Sequence, residues 1–271
     1  MSTDDTHDEP APDSAGPAEG VIPDAWLDWR RYTAARIALG RVGNATPTAE
    51  TLAFSLAHAQ ARDAIHTPLD AAALQAQLEG AGWPVLRVHS QAETRHQYLL
   101  RPDLGRRLRP ADLHALQTRE AGPVDISITI GDGLSSTAVQ RHALPLLQAL
   151  HEQLGGSFIF APLVVAEQSR VALADAVGEA FKARIAVILI GERPGLSSPD
   201  SLGIYLTFAP RAGRHDAERN CISNVRPEGL GYAAAAFKLA WLLRQSLRLG
   251  ISGVGLKDES DLVLPDTIAA P

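Results

Sequence analysis

The sequence predicts an α/β protein: a doubly wound, mostly parallel sheet domain preceded by a smaller, mainly helical N-terminal domain. Two observations carry that prediction. From Val124 onward, short apolar runs alternate with stretches of helical periodicity, the signature of successive β/α units. One of those runs, Ile185–Ile190, is apolar without interruption, as suits a strand buried on both faces of a parallel sheet. At 271 residues, with 45% hydrophobic and 21% charged side chains, the chain can supply two modest cores.

The elements follow in chain order. Residues 1–23 are rich in Asp, Pro, Gly and Ala, and no large apolar side chain stands between Met1 and Val21. They are expected to form a disordered acidic tail, because they cannot bury enough surface to offset the entropy of ordering. Asp4, Asp5, Asp8, Glu9, Asp13 and Glu19 lie there without a single Lys or Arg, so the tail accounts for the formal net charge of −6. The remainder is close to neutral, which argues against nucleic acid as a partner.

Asp24 opens a helical segment in which Trp26, Trp29, Thr33 and Ile37 share a face, an anchor onto either the protein's own core, the favoured reading, or a partner. A second helix covers Glu50–His66. Thr67-Pro68-Leu69-Asp70 then reads as a new start, Thr67 capping a helix that ends at Gly80-Ala81-Gly82. Short strands are expected at Val85–His89 and Gln97–Leu100, which completes a mainly helical N-terminal domain over 24–118.

Residues 119–271 are expected to form the Rossmann-like domain. Its strands are read at Asp125–Ile130, Phe158–Val165, Arg184–Ile190, Leu202–Phe208 and Ile251–Leu256. Helices are read from Leu134 to Glu152, over Val171–Lys182 and over Tyr232–Leu247, with Pro145 breaking or kinking the first.

A single cysteine, Cys221, rules out an internal disulfide and any multi-cysteine metal site. A reducing, cytoplasmic location is the default, with no signal peptide pattern and no apolar run of membrane-spanning length.

Ligands of α/β sheets sit beyond the carboxyl ends of the strands. Gly191-Glu192-Arg193-Pro194-Gly195 lies at such an end and is either a ligand contact or an ordinary exit loop. Gly131-Asp132-Gly133-Leu134-Ser135-Ser136 is a second such turn, with Ser135 or Ser136 able to cap the next helix. As a dinucleotide fingerprint it is weak, since Ser136 stands where the third glycine belongs. Loop 211–224, with Cys221, is the third candidate. His58, Arg62, Asp63 and His66 have no metal-binding spacing and read as a charged helix face at a subunit contact. No nucleophile–base set stands out, so this chain is expected to hold one half of a site and no catalytic or metal-ligating residue of its own.

Several segments taken together resemble the small (light) subunit of ethanolamine ammonia-lyase: ARIALGR at 35–41, HAQARDAIHTPLD at 58–70, YLLRPDLGRRL at 98–108 and GDGLSS at 131–136. VALADAVGEAF at 171–181, ARIAVILIGERPGL at 183–196 and NCISN at 220–224 continue the match. The resemblance implies a lyase subunit, inactive alone, that works with a large subunit to convert ethanolamine to acetaldehyde and ammonia by an adenosylcobalamin-dependent radical mechanism. The large subunit would hold substrate and radical chemistry, and the small subunit would grip the corrinoid. By motif, Val171, Glu192 and Cys221 are the implied cobalamin contacts.

Each of the three also has a purely structural reading: Val171 as core, Glu192 as a salt bridge to Arg193, Cys221 as buried filler. The resemblance further allows a bacterial microcompartment as location. Asp112-Leu113-His114-Ala115-Leu116-Gln117 lacks the glycine of the DxHxxG motif that displaces the cofactor's own base, so base-on adenosylcobalamin is expected. The rival is a non-enzymatic nucleotide-binding or scaffold protein, suggested by GDGLSS and the acidic tail.

The composition of the tail gives a direct test. Deleting residues 2–20 should leave assembly with the large subunit and turnover unchanged in gel filtration and activity assays. Loss of turnover in an intact complex would show that the tail has a role its composition hides.

Overall fold

The structure is a computed structural model and describes residues 20–119 and 122–262. The chain divides into two compact units, residues 1–59 and 60–271.

In the first unit, Leu27–Tyr32 form a single 3-10 helix, not the longer amphipathic helix expected. Trp26 and Trp29 are 64% and 57% exposed, so the aromatic pair is not part of the core. The physical reason lies just downstream. Thr33 is extended, Ala38 and Gly40 have positive φ, and Ile22 and Arg41 pair their backbones at 2.8 and 3.0 Å. The segment closes a loop on itself before the helix can lengthen. Helix α1 (Thr48–His66) begins in this unit and runs into the next. His58, Arg62, Asp63 and His66 are all exposed along it.

The second unit is a mixed α/β fold. Its elements are α2 (Ala71–Gly80), β1 (Val85–His89), α3 (Arg95–Leu100), α4 (Pro102–Gly105), α5 (Pro110–Gln117), β2 (Ile126–Gly131) and α6 (Ser136–Leu154). There follow β3 (Leu163–Glu167), α7 (Leu173–Ala180), β4 (Ile185–Gly191), β5 (Leu202–Phe208), β6 (Arg219–Val225) and α8 (Tyr232–Leu249). The six strands form one sheet in the order β1-β3-β2-β4-β5-β6. The first four are parallel, and β5 and β6 are antiparallel to their neighbours. β1, which lies within the 24–118 stretch of the sequence, pairs along its whole length with β3.

Alternate residues of a strand face opposite sides of the sheet. Ile126, Ile128, Ile130, Val187 and Leu189 pack with Leu147, Leu150, Leu239 and Leu243 of α6 and α8, so those helices cover one face. Val88, Val164 and Ala166 pack with Leu173 and Val177 of α7 and Leu116 of α5 on the other. This two-sided burial is why β4 carries no polar side chain: every one of its residues is buried.

Several expected elements differ. Asp70, not Thr67, caps α2, its side chain accepting from Ala73 N–H at 2.9 Å. Residues 97–100 are helical because Thr94 caps α3, accepting from Gln97 N–H at 3.2 Å. α6 continues through Pro145 without a break. Residues 251–256 make a 3-10 turn at Gly253–Gly255 in place of a strand, with Gly253 at positive φ. β6 takes the place of the polar loop expected over 211–224.

Leu239 of α8 is fully buried, whereas Trp29 is not. Leu239→Ala should therefore lower unfolding free energy by about 2–5 kcal/mol, the cost of a buried Leu truncation. Trp29→Ala should stay within about 0.5 kcal/mol of the parent. Urea titrations of the two variants check the contrast, and equal losses would contradict it.

Candidate functional site

The carboxyl edge of the sheet is closed at its centre. Asp132 follows β2 and is 2% exposed. Its Oδ1 accepts from Ser169 N–H at 2.8 Å and its Oδ2 from Gln168 N–H at 2.9 Å, with Arg95 Nη1 3.5 Å away. Burial pushes its carboxyl above the usual range, opposed by those N–H donors and Arg95. Beneath it, buried Tyr98 donates to Ser169 O at 3.1 Å and lies between the guanidinium groups of Arg95 and Arg170, 4.7 and 4.2 Å from its ring centre.

The glycines of this turn are filled in by protein. A Cβ on Gly133 would collide with Gly191 O, and one on Gly191 would collide with Ser135 O and Asp132 O. Leu134 N–H donates to Gly191 O at 3.0 Å. Ser135 accepts from Ala138 N–H as helix cap while donating to Pro199 O at 2.8 Å, and Ser136 donates to Thr67 O at 2.6 Å. Close backbone packing uses the space that a pyrophosphate would need, which makes 131–136 a structural turn.

The open part of the edge lies beyond β4. Glu192 leaves the end of β4 half-buried, and its Oε2 accepts from Asn224 N–H at 3.2 Å at the end of β6. Asn224 lies within β6 at φ +59°, where the pairing with β5 shifts register between Leu202 and Ile204. Gly203 on β5 makes room for the carboxylate: a Cβ there would stand 3.1 Å from Glu192 Oε1 and 3.4 Å from the Tyr205 ring.

Tyr205 is paired in register with Ile188 on one side and Cys221 on the other. Tyr205 and Val171 pack on the same small cluster, Ala174, Ile188 and Ile190. Cys221 is exposed, its Sγ 3.3 Å from Ser223 Oγ. Val171, Glu192 and Cys221, taken from three separate stretches of sequence, therefore border one sheet face, with Tyr205 in the middle of it.

Below this face, α7 and β6 are tied by a buried ion pair. Arg219 Nη2 stands 2.8 Å from Asp175 Oδ2, and Arg219 also bonds to Thr207 and to Arg214 O. Burial raises the Asp175 carboxyl to about 6, against the pull of Arg219 and Thr207. Among the described residues no His, Cys, Asp and Glu come together in a group that could hold a metal ion, and no helix is long and apolar enough to cross a membrane.

Comparison with known proteins fits this arrangement to a family. The family model of the ethanolamine ammonia-lyase light chain matches residues 23–257. The chain belongs to that family. Ethanolamine ammonia-lyase small subunits from Azotobacter vinelandii and Ralstonia nicotianae are 57% and 54% identical over 248 and 266 residues. The alignments cover 89% and 97% of this chain and 91% and 96% of those relatives. The small subunit from Pseudomonas aeruginosa is 54% identical over 250 residues, 89% of this chain and 92% of its own. Membership makes the chain a subunit of an ammonia-lyase, an enzyme built from more than one kind of chain.

Of the purely structural readings open to the three motif-derived residues of this small subunit, Val171 keeps its core contact, whereas Cys221 is not buried. Val171 is half-buried at the rim of its cluster, Glu192 bonds to the Asn224 backbone, and Cys221 is exposed. Sequence reasoning passed over Gly203 and Tyr205. The signal was present in Leu202–Phe208, where Gly203, Tyr205 and Thr207 alternate with Ile204 and Leu206, the pattern of a strand with one face away from the main core.

Asp175 gives this subunit a pH-dependent element. Its carboxyl holds a proton more tightly in the folded chain, near 6, than at the ordinary value of 3.8. Its contribution to stability therefore falls as pH rises from about 4 through about 6, and is level above that. Asp175→Asn does not titrate, and the Arg219 charge it leaves behind is constant over that range. The stability of the parent relative to Asp175→Asn should thus decline between pH 4 and 6 in urea melts. A flat or rising difference would contradict the assignment.

Proposed function

We propose that this chain assembles with a large subunit into an adenosylcobalamin-dependent ethanolamine ammonia-lyase, and that the face over β4, β5 and β6 is the surface it turns towards the corrinoid. The observation that supports this reading is the meeting of Val171, Glu192 and Cys221 on one open sheet face. The chemistry of the donor set fits the group. A corrin rim carries carboxamides, and a carboxylate at Glu192 can accept hydrogen bonds from their N–H groups. Gly203 keeps the floor beside Glu192 free of a side chain. Val171 and the Tyr205 ring offer apolar contact to the macrocycle.

When bound, adenosylcobalamin supplies the radical chemistry that moves hydrogen to and from ethanolamine. The residues of this chain bind and orient it: Glu192 by accepting amide hydrogen bonds, the bond to Asn224 N–H by holding that carboxylate in place, and the Arg219–Asp175 pair by fixing β6 against α7. Substrate is assigned to the large subunit. The cofactor's own benzimidazole is expected to remain on cobalt. His114, the one histidine in a partial displacement motif, is exposed on α5, away in sequence from every residue of the face.

The purified chain alone should deaminate no ethanolamine, and co-expression with the large subunit plus adenosylcobalamin should restore turnover. In that complex Glu192→Ala should weaken cofactor binding by about 1.5–3 kcal/mol, the range for hydrogen bonds to a charged group. Glu192→Gln, which keeps an acceptor oxygen, should lose less. Spectral titration of the complex with cobalamin measures both. Parent-like affinity in the Ala variant, or turnover by the isolated chain, would overturn the reading.

A further inference from the structure

Glu192 can only accept hydrogen bonds when ionised, yet a carboxamide presents both N–H donors and a carbonyl acceptor. A site that reads such a group through both halves needs a donor beside the carboxylate. Tyr205 is placed to be that donor. Its ring flanks the space over Gly203 that the Glu192 carboxylate also borders, the two standing 3.4 and 3.1 Å from the same point. Register places it between Ile188 and Cys221, and packing against the Val171 cluster fixes its ring. The side chain is half-buried, so it is not wholly sealed within the protein. Burial, together with Cys221 (through charge and a side-chain hydrogen bond), Glu192 and Asp216, pushes the phenol well above its ordinary value, so it keeps its proton; to donate to a ligand the hydroxyl exchanges its Cys221 partner for the ligand carbonyl.

We infer that Tyr205 is a cofactor-contacting residue, its hydroxyl donating to the carbonyl of a corrin-rim carboxamide whose N–H is accepted by Glu192. This rests on the reading of the face given above and adds a residue to it. It also gives the face selectivity by chemical class. The pair suits a primary amide, and an ionised carboxylate at the same rim position would meet the Glu192 charge with no hydrogen to donate.

The test is a double-mutant cycle in the co-expressed complex, with cofactor affinity read by spectral titration and kcat taken separately at saturating cofactor. Tyr205→Phe keeps the ring and its packing and removes only the hydroxyl. It should raise the cobalamin Kd by roughly three- to tenfold, the range for one neutral hydrogen bond, and leave kcat within about twofold. In the Glu192→Ala background the same change should still raise Kd, though by a smaller factor, because the two groups share one amide.

Three outcomes would overturn the inference: parent-like Kd in Tyr205→Phe, no further loss on adding it to Glu192→Ala, or fully multiplicative losses. The second would mean that Tyr205 acts only by holding Glu192, the third that the two read separate groups. Failure of the underlying reading is distinguishable, since Glu192→Ala would then bind cofactor like the parent. Glu192→Gln supplies an independent readout: it should reduce the penalty on a corrinoid with one rim carboxamide hydrolysed to the acid, and an unchanged penalty at every rim position would also count against the pair.

Discussion

Strand direction reverses after β4, and the open face depends on that reversal. A parallel connection must cross the sheet, and the helix it deposits covers a face on the way, as α7 does between β3 and β4. An antiparallel connection needs only a loop. Residues 192–201 and 209–218 contain no α-helix, so the side of β5 and β6 that carries Tyr205 and Cys221 is covered only in part, by Ala174 and Asp175 of α7. The opposite side is sealed by α8, which follows β6. One face of the same two strands is thus core, while the other is buried at Thr207 and Arg219 and exposed at Cys221.

The closed centre of the edge complements that opening. In a sheet of this kind the usual ligand crevice lies where neighbouring strands send their connections in opposite directions, here between β2 and β4. Gly133, Gly191 and the Ser135 carbonyl bring the two loops into van der Waals contact there, and the buried Asp132 carboxylate locks the turn to the end of β3. A carboxyl so far from water is tolerable only with its donors in place. That rigid centre positions Glu192, which leaves β4 one residue after Gly191.

What the sequence revealed and what it hid follow from where the burial is. The uninterrupted apolar run of β4 and the periodicity of α6 and α8 report cores that are covered on every side, and those elements stand within a few residues of where the pattern put them. β6 was hidden because Arg219, Asn220, Cys221 and Ser223 are polar or small, the composition of a strand that turns one face away from the core and so reads as a loop. The helix at Arg95–Leu100 was hidden for a different reason: its stability comes from the Thr94 cap and from Tyr98 buried far along the chain, neither of which shows in a six-residue window. Val171, Glu192 and Cys221 were singled out through motif resemblance alone. Tyr205, which joins them in space, had no motif to announce it and needed the register of β5 against β6 to be seen.

Gly203 sets how far this surface can drift in sequence. Cys221 and Ser223 point into open space and could change size with little disturbance to the fold. A methyl group on Gly203 would sit 3.1 Å from a Glu192 oxygen and force the carboxylate to move, while the strand itself, already extended, would pair as before. A substitution there would pass any inspection of folding or solubility and still shift the charge at the centre of the face. A position with no side chain at all can thus constrain where a charge stands.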